Sequence, residues 1–231
     1  MKSILNKLGP GILYAGAAIG VSHLVQSTRA GAEYGYYLIG VVILANILKY
    51  PFFEISPVYT AKKGENLMQG YRKLHPAVLL VFLLIMLSTF LIIVSAITLV
   101  TAGLAGLLIP IGISLNGWII IMALIAMAVI YFGHYKHLQS FTKYVVLLLS
   151  FFTLIAVVMA FTKAQPIDFY LSRELDLSHS LDLAFLLALI GWMPAPMELS
   201  VWHSTWAMAE GKAPNYDDAM FDFKAGYWGT M

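Results

Sequence analysis

The chain has 231 residues, of which 60% are hydrophobic and only 11% are charged. A soluble domain carries roughly 25% charged residues, so the composition excludes a soluble protein and predicts an all-α integral membrane protein with the lipid bilayer as its main partner. The net charge of +2 is small and says little about partners, whereas the absence of cysteine excludes disulfides and thiolate metal sites. The sequence contains no phosphate loop, nucleotide fingerprint or nucleophile triad, so we expect neither an enzyme nor a nucleic-acid partner.

The first apolar span covers residues 10–35 and is interrupted halfway. A span of about 20 apolar residues crosses the hydrocarbon layer as a continuous helix. Here Gly20 is followed by Ser22 and His23 near the middle, which weakens the helix without helping to anchor it. The pattern predicts a broken helix that contributes half of a solute site.

Five further spans follow in chain order, each bounded by glycine, proline or charge. They cover residues 37–61, 77–103, 115–134, 143–162 and 182–209. The six spans together predict a polytopic bundle.

The basic residues fix the expected orientation of these spans. They gather in the N-terminal segment at Lys2 and Lys7, in the segment 61–75 and in the turn 134–143. Lysine and arginine are enriched on the cytoplasmic side of membrane proteins. We therefore expect a cytoplasmic N-terminus, and a location in the plasma (inner) membrane.

The sixth span repeats the interruption of the first. Met193, Pro194, Ala195 and Pro196 lie near its midpoint, and the two prolines remove two backbone donors. The first helix is expected to run outward and the sixth inward. The two breaks therefore lie at corresponding positions in helices that run in opposite directions. This is the pattern of an inverted-repeat secondary transporter, whose site lies between two discontinuous helices; the alternative is a pair of ordinary kinks.

Three short motifs resemble the Nramp family of divalent-metal transporters. They are GPG at 9–11, RAGAEYGY at 29–36 and IGWMP at 190–194. The resemblance implies a LeuT-like symporter fold of two inverted five-helix repeats, with the first and sixth helices discontinuous.

In that fold, residues 1–163 form the first repeat and residues 164–181 an extracellular loop. Residues 182–231 would then supply the first helix of the second repeat and the start of the next helix. A missing C-terminal half is the partner that this arrangement implies.

The chain departs from the family at the ligand positions. Where the family reads Asp-Pro-Gly-Asn in its first helix, Gly20 stands at the aspartate position and His23 at the asparagine position. In the sixth helix the family's methionine is kept as Met193, and Ala195 replaces its histidine.

The third span also departs from the family. Phe90 and Ile93 stand near the positions at which the family carries acidic residues for proton passage. Coupling to protons by that route is therefore less expected here than in ordinary members.

The chemistry left at the breaks permits a divalent metal ion as transported substrate, with no other cofactor. Imidazole and thioether suit a softer transition ion, whereas carbonyl and hydroxyl oxygens suit ions such as Mg²⁺, so Mn, Fe and Mg all stay open. The candidate binding residues are Ala17 and Ile190 through freed carbonyls, Ser22, His23 and Met193 through side chains, and Gly20 and Ala195 by position.

Three further residues could supply charge or relay protons. Glu198 lies about one turn beyond the second break and could replace the lost aspartate, or it could pair with Lys49 in the middle of the second span. His203 lies two turns past the break, where it could relay protons or only hold helices together. Arg29 and Glu33 are spaced as an i,i+4 ion pair.

The residues after the sixth span predict a cytoplasmic segment up to about residue 224, and a seventh helix that has just begun at 225–231. We therefore expect a fragment that would not transport by itself. Two alternatives stay open beside the divalent-metal transporter: a carrier of the same fold for a non-metal solute, and a non-transporting scaffold.

Overall fold

A computed structural model describes residues 9–20, 22–133, 135–163, 175–210 and 215–231. The side chains of residues 22, 135–138, 161 and 163 lie outside this description. The described residues form helices and connecting turns without a β-strand. The helices are α1 (Pro10–Ala18), α2 (Ser27–Tyr34), α3 (Ile39–Lys63), α4 (Leu67–Leu74), α5 (Pro76–Leu108), α6 (Leu115–Phe132), α7 (Tyr135–Lys163), α8 (Ser180–Trp192), α9 (Leu199–Ala209) and α10 (Tyr216–Gly229).

Four stretches of the described helices are long and apolar enough to cross a membrane. They cover Ile39–Lys63, Pro76–Leu108, Leu115–Phe132 and Gln139–Ala160. Their outward surfaces are largely apolar, as lipid contact requires. The prediction of an all-α polytopic membrane protein is confirmed.

The first and sixth predicted spans are interrupted helices. In the first, α1 is followed by a π-helical segment, Ser22–Gln26, and then by α2. In the sixth, α8 ends at Trp192 and α9 begins at Leu199. The predicted discontinuity is therefore confirmed in both spans.

The chain divides into two compact units, one from residues 1–67 and 139–231 and the other from residues 68–138. In the first unit, α1 packs against α9 and α10, and α3 packs against the same two helices. Tyr14, Phe53, Phe223 and Tyr227 form its aromatic core, with the Tyr14 and Phe53 ring centroids 5.5 Å apart. This core positions both helix breaks.

In the second unit, α5 packs against α6, and α4 precedes them in the chain. His75 and Ser114 cap the starts of α5 and α6, because their side chains accept hydrogen bonds from the amides of Ala77 and Gly117. Gly112, with φ 77°, lies in the connecting turn, where a side chain would strain the backbone. The unit contains both Phe90 and Ile93.

The structure differs from the expectation for the last residues. Helix α10 begins already at Tyr216 rather than near residue 225, and it buries Phe223 in the aromatic core. The polar letters NYDD suggested a loop, but Asn215 is an N-cap that accepts a hydrogen bond from the Asp217 amide. The acidic first turn is thus a helix start.

Candidate functional site

The first break exposes the C-terminal end of α1. The amide of Ile19 still donates to the carbonyl of Ala15, and the amide of Leu24 donates to the carbonyl of Gly20. The Nδ1 atom of His23 lies 2.6 Å from the carbonyl oxygen of Ala18. A carbonyl oxygen only accepts, so Nδ1 is the donor in this bond, and His23 fills the place of a helical amide.

The backbone of Thr230, at the C-cap position of α10, also interacts with the His23 ring. The ring is therefore held by two backbone segments, one at the first break and one beyond it. A metal ion bound by this imidazole would have to compete with these interactions.

The N-terminal end of α1 is held by a carboxylate from α10. The two oxygens of Asp222 accept hydrogen bonds from the amides of Gly9 and Gly11, at 2.8 and 2.6 Å. Pro10 between them has no amide hydrogen, and no side chain at the N-cap position of α1 caps the helix. Asp222 thus provides the cap and fixes α1, and with it the first break.

The second break exposes the C-terminal end of α8. The carbonyl of Leu189 still accepts a hydrogen bond from the Met193 amide, but Pro194 has no amide hydrogen to donate to the carbonyl of Ile190. The ammonium nitrogen of Lys49 in α3 donates to two carbonyls at this end, at 2.6 Å to Ile190 and 2.8 Å to Gly191. The backbone then continues through a cis peptide bond between Met193 and Pro194.

The chain within the second break is divided between two packed clusters. Met193 is 1% exposed and packs with Ala30, Tyr34 and Leu189. Ala195 is completely buried in the aromatic core of the first unit. The thioether sulfur predicted as a ligand is therefore surrounded by apolar side chains.

The other predicted binding residues lie around the first break. Ala17 is in the last turn of α1, and the carbonyl that meets His23 is that of its neighbour Ala18. Gly20 is half-buried in the turn that follows α1. Ser22 begins the π-helical segment, and its side chain lies outside the described residues.

The structure places the three candidate relay residues in different surroundings. Lys49 is bonded to the end of α8, as described above. Glu198 is half-buried at the N-cap position of α9. His203 in α9 is 2% exposed. Its Nδ1 lies 3.0 Å from the Ser56 hydroxyl, and its Nε2 lies 4.0 Å from an Asp222 oxygen. His203 therefore bonds α9 to α3 rather than lying at a break.

The predicted i,i+4 ion pair at the C-terminal end of the first span is confirmed. Arg29 Nε lies 2.7 Å from a Glu33 oxygen, and both side chains are exposed. The Arg29 guanidinium also lies 5.0 Å from the centroid of the Phe185 ring. The pair links neighbouring helix surfaces rather than the breaks.

The π-helical segment that follows the first break contacts α8, the helix that ends at the second break. A cavity of about 450 Å³ is lined by α2, the first turns of α3, Leu189 of α8 and Met231, and no charged side chain is part of its described lining. Among the described residues, no group of three His, Asp or Glu side chains could hold a metal ion. A cation at the breaks would therefore depend mainly on carbonyl oxygens, with imidazole or thioether in support.

Two contacts of the site were not predicted from the sequence. Asp222 was assigned to a loop, and Lys49 was considered only as a partner for Glu198 or as a relay. The N-cap at Asn215, followed by Asp217 and Asp218, is a helix-start signal that could have placed Asp222 on a helix. No sequence pattern shows which helix end Lys49 would reach.

Comparisons with known proteins identify the family of the chain. A family model described as natural resistance-associated macrophage protein-like matches residues 11–218. An uncharacterized protein of Pasteurella multocida is 34% identical over 230 residues, which cover 96% of this chain and 52% of that protein. The chain thus spans about half the length of this relative. No solved structure matches the chain. Because the family model covers most of the chain, including both helix breaks, the chain belongs to the Nramp family.

Proposed function

We propose that the protein containing this chain is a secondary transporter that moves a divalent metal cation between the two helix breaks. The observation that carries the proposal is the contact of α8, which ends at the second break, with the π-helical segment that follows the first break. Broken helices persist in a membrane where their freed polar groups face protein or water. Membership of the Nramp family supports the class of substrate.

The ligands for such a cation would come from both breaks. The carbonyl of Ile190 suits a hard ion such as Mg²⁺ or Mn²⁺, whereas the imidazole of His23 and the thioether of Met193 suit a softer one such as Fe²⁺. Met193 is buried among apolar side chains, so its sulfur would have to turn toward the break. In this scheme the cation is the transported substrate, and the second repeat of the LeuT-like fold would complete the enclosure.

The test is uptake of radioactive Mn²⁺ into proteoliposomes that contain the protein. Met193→Ala removes the proposed soft ligand, and Met197→Ala is a matched control because Met197 is 44% exposed. We expect uptake to fall about tenfold or more in Met193→Ala, because loss of a group that supports a metal site typically lowers metal affinity or activity by that factor. Uptake by Met197→Ala should stay within about twofold of the wild-type value. Equal uptake by both variants would remove Met193 from the site, and no uptake by the wild-type protein would refute metal transport.

A carrier of the same fold for a non-metal solute is the second candidate. It is favoured by Lys49, whose positive charge already occupies the carbonyls at the end of α8. An anionic group on a solute would be attracted by that charge, whereas a second cation would be repelled. Counterflow of organic anions, measured in the same proteoliposomes, distinguishes the two candidates.

We also propose that the protein lies in the plasma (inner) membrane with a cytoplasmic N-terminus. The basic residues around Lys62 and Lys63 at the end of α3 support this orientation. The chain has no cysteine, so single cysteines can be labelled without background. An impermeant maleimide on intact cells should leave Lys63→Cys unlabelled and label Leu177→Cys; the reverse pattern would invert the topology.

A further inference from the structure

The side chain of Lys49 extends from the middle of α3 to the end of another helix. Its ammonium group is 2.6 Å from the carbonyl oxygen of Ile190 and 2.8 Å from that of Gly191. These two residues are separated from Lys49 by 141 and 142 positions in the sequence. The contact is therefore a tertiary one, made between α3 and α8 at the second break.

The end of α8 is a place where a cation is stabilised. The last carbonyls of a helix lack amide partners, and the helix dipole puts partial negative charge at its C-terminal end. A lysine ammonium offers three donors and one positive charge, so it satisfies both the hydrogen bonds and the charge. In the broken helices of transporters, the same type of helix end coordinates transported cations.

An ammonium group and a metal ion cannot use these two oxygens together. Metal ions approach carbonyl oxygens to roughly 2.0–2.6 Å, which is the space that the Lys49 nitrogen now fills. Two positive charges at that separation would also repel each other strongly. Binding of a metal at this position requires that Lys49 first leave.

The first break has a similar arrangement. The carbonyl of Ala18 at the end of α1 is bonded to the ring nitrogen of His23. A nitrogen donor from a side chain thus occupies the terminal carbonyls on both sides of the site. Of the two donors, Lys49 is the one that brings an ammonium group with three N–H donors, whereas His23 brings an imidazole ring.

We propose that Lys49 is a tethered cation that occupies the cation position at the end of α8 and sets the selectivity of the site against metal ions there. The inference depends on the proposed function only in taking the two breaks as the solute site. Lys49 acts as a specificity-determining residue, because a metal must displace its ammonium group before it can use the carbonyls of Ile190 and Gly191.

The experiment is isothermal titration of Mn²⁺ into the purified protein in detergent. Lys49→Met keeps much of the side-chain length and removes the charge, and Lys49→Gln does the same with a polar end. Lys63→Met is the matched control, because Lys63 is exposed in the same helix and the net charge changes equally. When a competing state must be displaced, the apparent dissociation constant rises in inverse proportion to the competent fraction, so we expect both uncharged Lys49 variants to bind Mn²⁺ about tenfold tighter or more.

The outcomes separate this inference from the proposed function. Tight binding in the Lys49 variants with none in the wild-type protein supports the inference and refutes wild-type metal transport. Binding in the wild-type protein with less than a threefold change in the variants overturns the inference and leaves metal transport standing. No binding in any protein overturns both.

A charge-preserving variant protects the test against misfolding. Lys49→Arg keeps the positive charge and can donate to both carbonyls, so its Mn²⁺ affinity should stay within threefold of the wild-type value. If the uncharged variants do not give a monodisperse protein, a tenfold gain of affinity in Lys49→Arg would still overturn the inference.

Discussion

Removal of the Asp222 carboxylate should destabilise the protein by releasing the start of α1. The carboxylate accepts hydrogen bonds from two buried amides, at 2.8 Å from Gly9 and 2.6 Å from Gly11. A buried donor left without a partner costs about 1–3 kcal/mol, so Asp222→Ala leaves a gross deficit of about 2–6 kcal/mol. Asp222→Ala also removes the cost of burying the carboxylate charge, which offsets part of this deficit. We expect a net decrease of about 3 kcal/mol in the free energy of unfolding.

The measurement is thermal unfolding of the purified protein in detergent. For a chain of this size, 1 kcal/mol corresponds to a shift of about 2–4 °C in Tm, so Asp222→Ala should lower Tm by about 6–12 °C. The Tm of Asp222→Asn should lie between those of the wild-type protein and Asp222→Ala, because the asparagine side chain has one accepting oxygen where the carboxylate has two. Asp217→Ala is the control, since Asp217 is exposed in the same helix and carries the same charge. A shift in Asp222→Ala no larger than in this control would refute the capping argument.

Two further substitutions test the packing that holds the breaks in place. Gly226→Ala should lower stability by about 1–3 kcal/mol through overpacking, because a Cβ there would collide with the carbonyl of Gly11, whereas Gly103→Ala meets open space and serves as control. Phe53→Ala should cost about 3–5 kcal/mol, because Phe53 is 1% exposed in the aromatic core, whereas its 55% exposed neighbour Phe52 should tolerate alanine. Thermal unfolding measures both pairs, and equal shifts within a pair would contradict the packing described here.

Local chemistry made the spans and their interruptions predictable. The apolar spans are continuous in the sequence, and Gly20 and Pro194 mark the two places at which a membrane helix loses regular hydrogen bonds. The Arg29–Glu33 pair was equally predictable, because i,i+4 residues always share a helix face. The division into a first repeat over residues 1–163 and a second repeat from 182 stays a prediction.

The contacts that determine the chemistry of the breaks were not predictable in this way. Asp222 reaches Gly9 across 213 positions and Lys49 reaches Ile190 across 141, so neither contact leaves a periodic signal in the sequence. The family resemblance did not predict these two contacts either, because the family's ligand positions correspond to residues 20, 23, 193 and 195. Both became visible only when the helix ends were placed beside charged residues of other helices.

These two contacts follow one electrostatic rule. The amino end of α1 carries partial positive charge and receives the carboxylate of Asp222, whereas the carboxyl end of α8 carries partial negative charge and receives the ammonium of Lys49. Asp222 lies at the end of α1 that is remote from the break, so its charge stabilises the frame. Lys49 lies at the break itself, where a transported cation would have its ligands. A substitution at Asp222 should therefore change stability most, and one at Lys49 should change which ions bind.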